Sequence, residues 1–233
     1  MTQPRTYKYY DFCMAAFVCI LLCANLIGPA KATTITLPVI GPVTFLAGVL
    51  FFPISYFFGD ILTEVYGYGR DRRVVWAGFA ALLFASVMAA TVVALPPAAH
   101  WTDKQAAVET VFGSTPRIIA GSISAFWCGS FVNSFVLAKM KILTRGRWLW
   151  TRTVGSTMCG EAVDSAIFYV IAFYGTIDNT DLMMLATTQY VLKVLWEALS
   201  TPLTYWLVAK LKAVENEDYF DHATNFTPFT LKT

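Results

Sequence analysis

An all-α membrane protein, a bundle of six transmembrane helices with both termini cytoplasmic, is the fold that three observations predict. The 233 residues are 57% hydrophobic and only 14% charged, whereas a soluble domain carries about a quarter charged residues. The apolar residues gather into six blocks, each near the ~20 residues that a spanning helix needs. Basic residues concentrate in alternate connections between those blocks.

The blocks run from Tyr9 to Ile27, Val43 to Tyr66, Val74 to Leu95, Thr115 to Met140, Leu149 to Tyr174 and Leu182 to Leu211. Arg5 and Lys8 precede the first, as in a signal peptide, but no small-residue cleavage site follows, so it is read as a retained helix. Thirteen of the 17 Lys and Arg residues fall on the side that holds both termini, which the positive-inside rule makes cytoplasmic. Residues 1–212 therefore form the six-helix transmembrane unit, and the polar, acidic stretch 213–233 is expected to be a disordered cytoplasmic tail.

The connections carry their own signals. AKATTITLPVIGP after the first block is β-branched and short, fit for a small hairpin on the outer side. PPAAHWTDKQAAVETVFGSTP is a longer outer loop with room for an amphipathic turn. The five cysteines lie inside apolar blocks with no C-x-x-C pair, and read as small helix-surface residues rather than a disulfide framework. His100 and His222 lie outside the blocks, so no metal site is expected. There is no phosphate-binding G-x-x-x-x-G-K-[ST] loop and hence no intrinsic ATPase motor.

Polar residues inside apolar blocks carry the functional information, because a carboxylate at the bilayer centre costs about 2.5–3.5 kcal/mol on insertion scales. Asn25 lies near the outer end of the first helix. Asp60 and Glu64 share a face of the second, which Pro53 is expected to interrupt. Glu64 reads as an interfacial acid paired with Arg70, Arg72 or Arg73, whereas Asp60 is deeper and fits either structural pairing or gating. CGSFVNS (128–134) in the fourth helix is echoed by CGEAVDS (159–165) in the fifth, with Asn133 matched to Asp164. The two helices run in opposite directions, so the echo has the form of an inverted repeat, a recurrent basis for transport sites. Glu161 and Asp164 are three apart and share a helix face. Lys193 and Glu197 in the sixth helix are four apart; either they pair with each other, or Lys193 neutralises an acid on the fifth helix and leaves another free for ligand. Pro202 is expected to bend that helix. Gly and Ser residues in AGSISAFWCGS and VGSTMCG imply close packing of the fourth and fifth helices.

Buried carboxylates suit a ligand rich in N–H donors, and Phe126, Trp127, Phe168, Tyr169 and Trp196 offer flat faces at similar depth. A planar nitrogen heterocycle with a guanine-like edge matches both features.

The stretches PISYFFGDILTEVYGY, RIIAGSISAF from Arg117, STMCGEAVDSAIF and KVLWEALSTPLTY resemble, in order, the queuosine precursor transporter family, also described as vitamin-uptake-transporter-like. That resemblance covers the chain from about Asn25 to Tyr205. It implies a six-helix inner-membrane importer of 7-cyano-7-deazaguanine or 7-aminomethyl-7-deazaguanine. Asn25, Asp60, Arg117, Asp164 and Lys193 fall where the family has those residue types, while Ser130, Asn133 and Glu161 depart from its pattern.

The sequence thus predicts a transporter, not an enzyme, with no cofactor and no metal. Glu161 or Asp164 is expected to accept hydrogen bonds from the pyrimidine edge, with Asn133 and Gln189 completing the polar contacts and Trp127, Phe168 or Trp196 stacking. Lys193, Glu197, Asp60, Arg117 and Asn25 are assigned to charge balance or gating. Desolvation of Glu161 favours its neutral form, which would suit proton coupling. Expected partners are the small-molecule substrate and the lipid bilayer, with a homodimer as an option and no nucleic acid. Two rivals are a vitamin- or metabolite-binding membrane subunit of an energised complex and an intramembrane aspartyl enzyme using Asp60 and Asp164. A third, a structural scaffold, leaves the midplane acids unexplained.

Overall fold

The structure, a computed structural model, describes residues 6–28, 31–38 and 41–231; Arg5 and Lys232, which enter the charge count, lie outside them. Helices stand at all six expected places, as α1 (Tyr10–Leu26), α2 (Phe52–Tyr66), α3 (Tyr68–Ala94), α5 (Pro116–Leu143), α6 (Leu149–Phe173) and α7 (Asn179–Glu215). A short α4 (Gln105–Phe112) occupies the long outer loop. The stretches Ala47–Tyr66, Tyr68–Ala94, Thr102–Leu143 and Leu149–Phe173 are long and apolar enough to cross a membrane, whereas α1 is a shorter apolar helix. The chain is a multi-pass membrane protein.

Strands β1 (Ala32–Leu37) and β2 (Gly41–Leu46) form an antiparallel hairpin pairing Ala32 with Leu46. This shifts the expected start of the second span, because residues 43–46 belong to β2, and a 3₁₀ turn (Ala47–Leu50) precedes α2. Pro53 does not interrupt the helix; it lies in the first turn of α2, where its missing N–H leaves no helical bond unmade.

α2 is the central element. Every residue from Gly59 to Tyr66 is buried, and the helix packs against α1, α3, α5 and α7. A helix covered on all sides buries its polar residues along with its apolar ones, and Asp60 and Glu64 are as buried as Ile61 and Leu62. It breaks from α3 at Gly67, whose φ of 86° favours glycine. A Cβ there would also lie 2.3 Å from Tyr219 Cδ1.

The tail departs from the expected disorder. α7 extends to Glu215, and the following residues run back across the ends of α2, α3 and α5. Arg72 Nη1 donates to the carbonyls of Asn225 and Thr227, both at 2.7 Å. Trp76 Nε1 donates to Pro228 O at 2.7 Å, and Tyr68 Oη to Phe226 O at 3.0 Å. Asp221 is buried and accepts from the Tyr68 backbone N–H. Polar composition predicts disorder only where no partner surface exists, and here buried donors on α3 supply one.

The start of α1 and the end of α7 meet at this end of the bundle. The Glu215 carboxylate accepts from the backbone N–H groups of Lys8 (2.9 Å) and Tyr9 (2.7 Å) and from Tyr66 Oη (2.9 Å). These amides sit at the start of α1, where helical N–H groups lack intrahelical acceptors and favour negative charge.

Candidate functional site

The α5–α6 seam sets the site. A Cβ on Gly129 would lie 2.8 Å from Asp164 Cβ, and one on Gly160 would lie 2.8 Å from Asn133 Cβ. The glycine of each echoed motif thus receives the sixth residue of the other. The small residues draw the backbones together, as expected, and this close approach fixes Asn133 and Asp164 at one depth.

Asn133 and Asp164 then face opposite neighbours. Asn133 Nδ2 donates to Oδ1 of the fully buried Asp60 at 2.7 Å, which joins α5 to α2. Lys193 Nζ, on α7, bridges Glu161 Oε2 at 2.7 Å and Asp164 Oδ1 at 2.9 Å. Lys193 thus turns to the fifth helix rather than to Glu197, but it holds both acids there instead of leaving one free for ligand. Glu197 is fully buried, and neither of its carboxylate oxygens accepts a hydrogen bond from the described residues.

Tyr56, which sequence reasoning missed, lies against both Glu161 and Asp164. Its ring centroid is 5.9 Å from Lys193 Nζ, with that of Phe52 at 5.7 Å. The available signal was position: Tyr56 stands one turn before Asp60 on the same face.

Gln189 is buried on α7, one turn before Lys193, and Trp196 is half-buried beside Glu197. Phe168 lies one turn beyond Asp164, edge-on to Tyr169 at 5.1 Å and Phe173 at 5.8 Å. Trp127 is drawn elsewhere, into a cluster with Trp76 at 5.7 Å, Phe131 at 5.0 Å and Phe229 of the tail at 5.8 Å. Arg117 donates to the carbonyls of Ile171 and Tyr174, so it caps the end of α6, where carbonyls lack intrahelical donors.

Asn25 donates to Leu21 O within its own helix at 2.9 Å. It also lines a cleft of about 50 Å³ with Ser86, Phe112, Ser114 and Ser122, between the end of α1 and the start of α5. A second cavity, of about 10 Å³ and so no larger than a water molecule, lies beside Asn133 and is lined by Ser55, Tyr56, Asp71, Ser130 and Ser134.

Glu64 has other partners than expected. Arg152 Nη2 lies 2.8 Å, Lys212 Nζ 2.6 Å and Lys141 Nζ 3.6 Å from its Oε1. The break at Gly67 carries the nearby arginines away, with Arg70 donating to Tyr66 O and Arg72 to the tail. Among the described residues no group of three or more His, Cys, Asp or Glu is arranged to hold a metal ion.

The central layer therefore holds Asp60, Glu161, Asp164 and Glu197 with Lys193 as its cation. Asp60 Oδ2, Glu161 Oε1, Asn133 Oδ1 and both Glu197 oxygens are buried without a donor from the described residues. Such a layer at the heart of a multi-pass helical bundle is the construction of a membrane transporter. Residues 46–207 match the family described as "Putative vitamin uptake transporter". The chain is also 31% identical over 198 residues to a "Probable queuosine precursor transporter" of Bacillus subtilis (strain 168), an overlap covering 84% of this chain and 82% of that protein. The chain belongs to this transporter family. Family and relative are transporters and not enzymes, which sets aside the aspartyl-enzyme alternative. No solved structure matches the chain.

Proposed function

We propose that the protein imports a 7-deazaguanine precursor of queuosine, 7-cyano-7-deazaguanine or its 7-aminomethyl counterpart, across the inner membrane. On this reading α1, α2, α3, α5, α6 and α7 all span the bilayer, and the end where the start of α1 meets the end of α7 faces the cytoplasm, as the basic residues there require. α5 and α6 act as an inverted pair about the Gly129–Gly160 contact.

The observation that carries the reading is the excess of buried acceptors around the seam: Glu161 Oε1 and Asn133 Oδ1 receive no donor from the described residues. A guanine-like edge presents adjacent N–H donors, which two such oxygens can accept. Lys193 holds one oxygen of each seam acid, so the base takes the second oxygen of Glu161 or displaces the ammonium from Asp164. Gln189 completes the polar contacts, and Phe168 or Trp196 supplies a flat face. The name of the Bacillus relative points to the same substrate class.

Uptake of labelled precursor tests this. Asp164→Ala at matched membrane levels is expected to lose at least ~10-fold in uptake, equivalent to about 1.4 kcal/mol; wild-type uptake would remove Asp164 from the site. In liposomes the purified protein alone should move the precursor, whereas a subunit of a larger complex would bind it without transport.

A further inference from the structure

We propose that Asp60 and Glu197 form a proton-carrying site, separate from the acids held by Lys193, whose proton moves inward with the substrate. The coupling rests on the transport reading above; the proton site itself does not.

Both carboxyl groups are fully buried. They stand on α2 and α7, which pack together, and Glu197 bears electrostatically on Asp60. Neither oxygen of Glu197 accepts a hydrogen bond from the described residues, and Asp60 accepts only through Oδ1, from Asn133.

The nearby cations are committed elsewhere. Lys193, one turn before Glu197, bridges Glu161 and Asp164. Lys141, Arg152 and Lys212 converge on Glu64, one turn beyond Asp60. Among the described residues, the other charged groups that bear on the pair are acids: Glu161 from α6 on Glu197, and Asp71 from α3 and Glu64 from α2 on Asp60. α5 contributes the neutral Asn133, and the acid of α1, Asp11, lies in that helix's first turn.

An uncompensated buried charge costs several kcal/mol, and two like charges together cost more. Buried acids in this position commonly share a proton. The unpartnered Glu197 distinguishes this pair from a braced structural cluster.

The exit follows a line of polar groups: Asn133, bonded to Asp60, lines a water-sized cavity with Ser130, Ser134 and Asp71, and the Asp71 carboxylate accepts from Ser134 Oγ. Asp71 lies in the first turn of α3, at the end where the start of α1 meets the end of α7. An O–H bond forms on the Asp60–Glu197 pair with a proton from the outer side. It breaks toward the Asp71 side, returning the carboxylate, and no electron transfer is involved.

Two measurements test the proposal, using purified full-length protein. Infrared spectra at neutral pH should show a protonated-carboxyl band in the wild type and in Glu161→Gln, lost in Glu197→Gln with Asp60→Asn. A wild type without that band, or a band that survives the double substitution, overturns the proton site whatever the substrate. In proteoliposomes, Glu197→Gln should retain exchange of labelled 7-deazaguanine precursor across equal concentrations. It should lose most of the additional accumulation that an inward proton gradient drives in the wild type. Gradient-driven accumulation unchanged in Glu197→Gln overturns the coupling. A wild type that shows the band but exchanges no 7-deazaguanine overturns the proposed substrate and the coupling to it, while supporting the proton site.

Discussion

Lys193 is the residue on which the central charges balance, because one ammonium serves two carboxylates on a neighbouring helix. Removing one partner from a buried ion pair leaves an uncompensated charge, at a cost of about 3–5 kcal/mol. Lys193→Met should therefore lower thermal stability in detergent by roughly that amount. Adding Glu161→Gln and Asp164→Asn to Lys193→Met should recover most of the stability without recovering precursor uptake. A triple variant as unstable as Lys193→Met would show that packing of the lysine stem, not charge, is what α7 contributes. The residue types of this layer were legible in the sequence because acids at membrane depth are conspicuous. Their pairing was less so: helical spacing made Lys193 with Glu197 as natural as Lys193 with Glu161, and only the placement of α6 beside α7 decides between them. Glu64 teaches the same lesson, since its nearest arginines in sequence are turned away by one glycine and its cations arrive from three other helices.

At the level of elements, the α5–α6 seam is built from small residues whose replacements have unequal consequences. A methyl group on Gly160 would meet Asn133 Cβ at 2.8 Å and Gly129 O at 2.9 Å, neither of which can move without shifting a helix. Overpacking of this kind costs about 1–3 kcal/mol. Gly160→Ala should lower the melting temperature and reduce uptake, because it displaces Asn133 from Asp60. Gly155→Ala, on the same helix, meets only the flexible end of Met140 at 3.2 Å and should leave both properties near wild type. Equal effects from the two substitutions would deny the seam its positioning role. Helix positions and the hairpin were readable from apolar length and β-branched runs. The start of α2 was not, since apolar residues in a strand and in a spanning helix look alike and only the turn at Ala47–Leu50 separates them. The cluster that Trp127 joins was not readable for a related reason: depth along a helix follows from sequence, whereas the direction a ring faces depends on which neighbours surround it.

For the whole molecule, the start of α1 and residues 216–231 close one face of the bundle. Glu215 holds the start of α1, while the tail spans the ends of α2, α3 and α5, so the segment read from composition as disordered acts as a strap. Its polar residues find buried donors that no local pattern reveals. Removing everything after Glu217 takes two carbonyl acceptors from Arg72 and two acceptors from Lys141. Hydrogen bonds to charged groups contribute about 1.5–3 kcal/mol each, so the truncated protein should melt well below wild type while still inserting into membranes. The strap should also respond to acid through Asp218, which lies 2.6 Å from Lys141 Nζ and 2.8 Å from Lys212 Nζ. Burial pushes this carboxyl up, but the two ammonium groups outweigh burial and hold it below the usual carboxylate range. Its stabilising contribution is then complete above the unfolded value of about 3.9 and is lost as pH falls through the lower folded value. Melting temperatures of wild type and Asp218→Asn in detergent should differ at neutral pH and converge below about pH 4. A gap that persists after acidification would mean that Asp218 holds the strap through shape rather than charge, and that protonating it leaves this face closed.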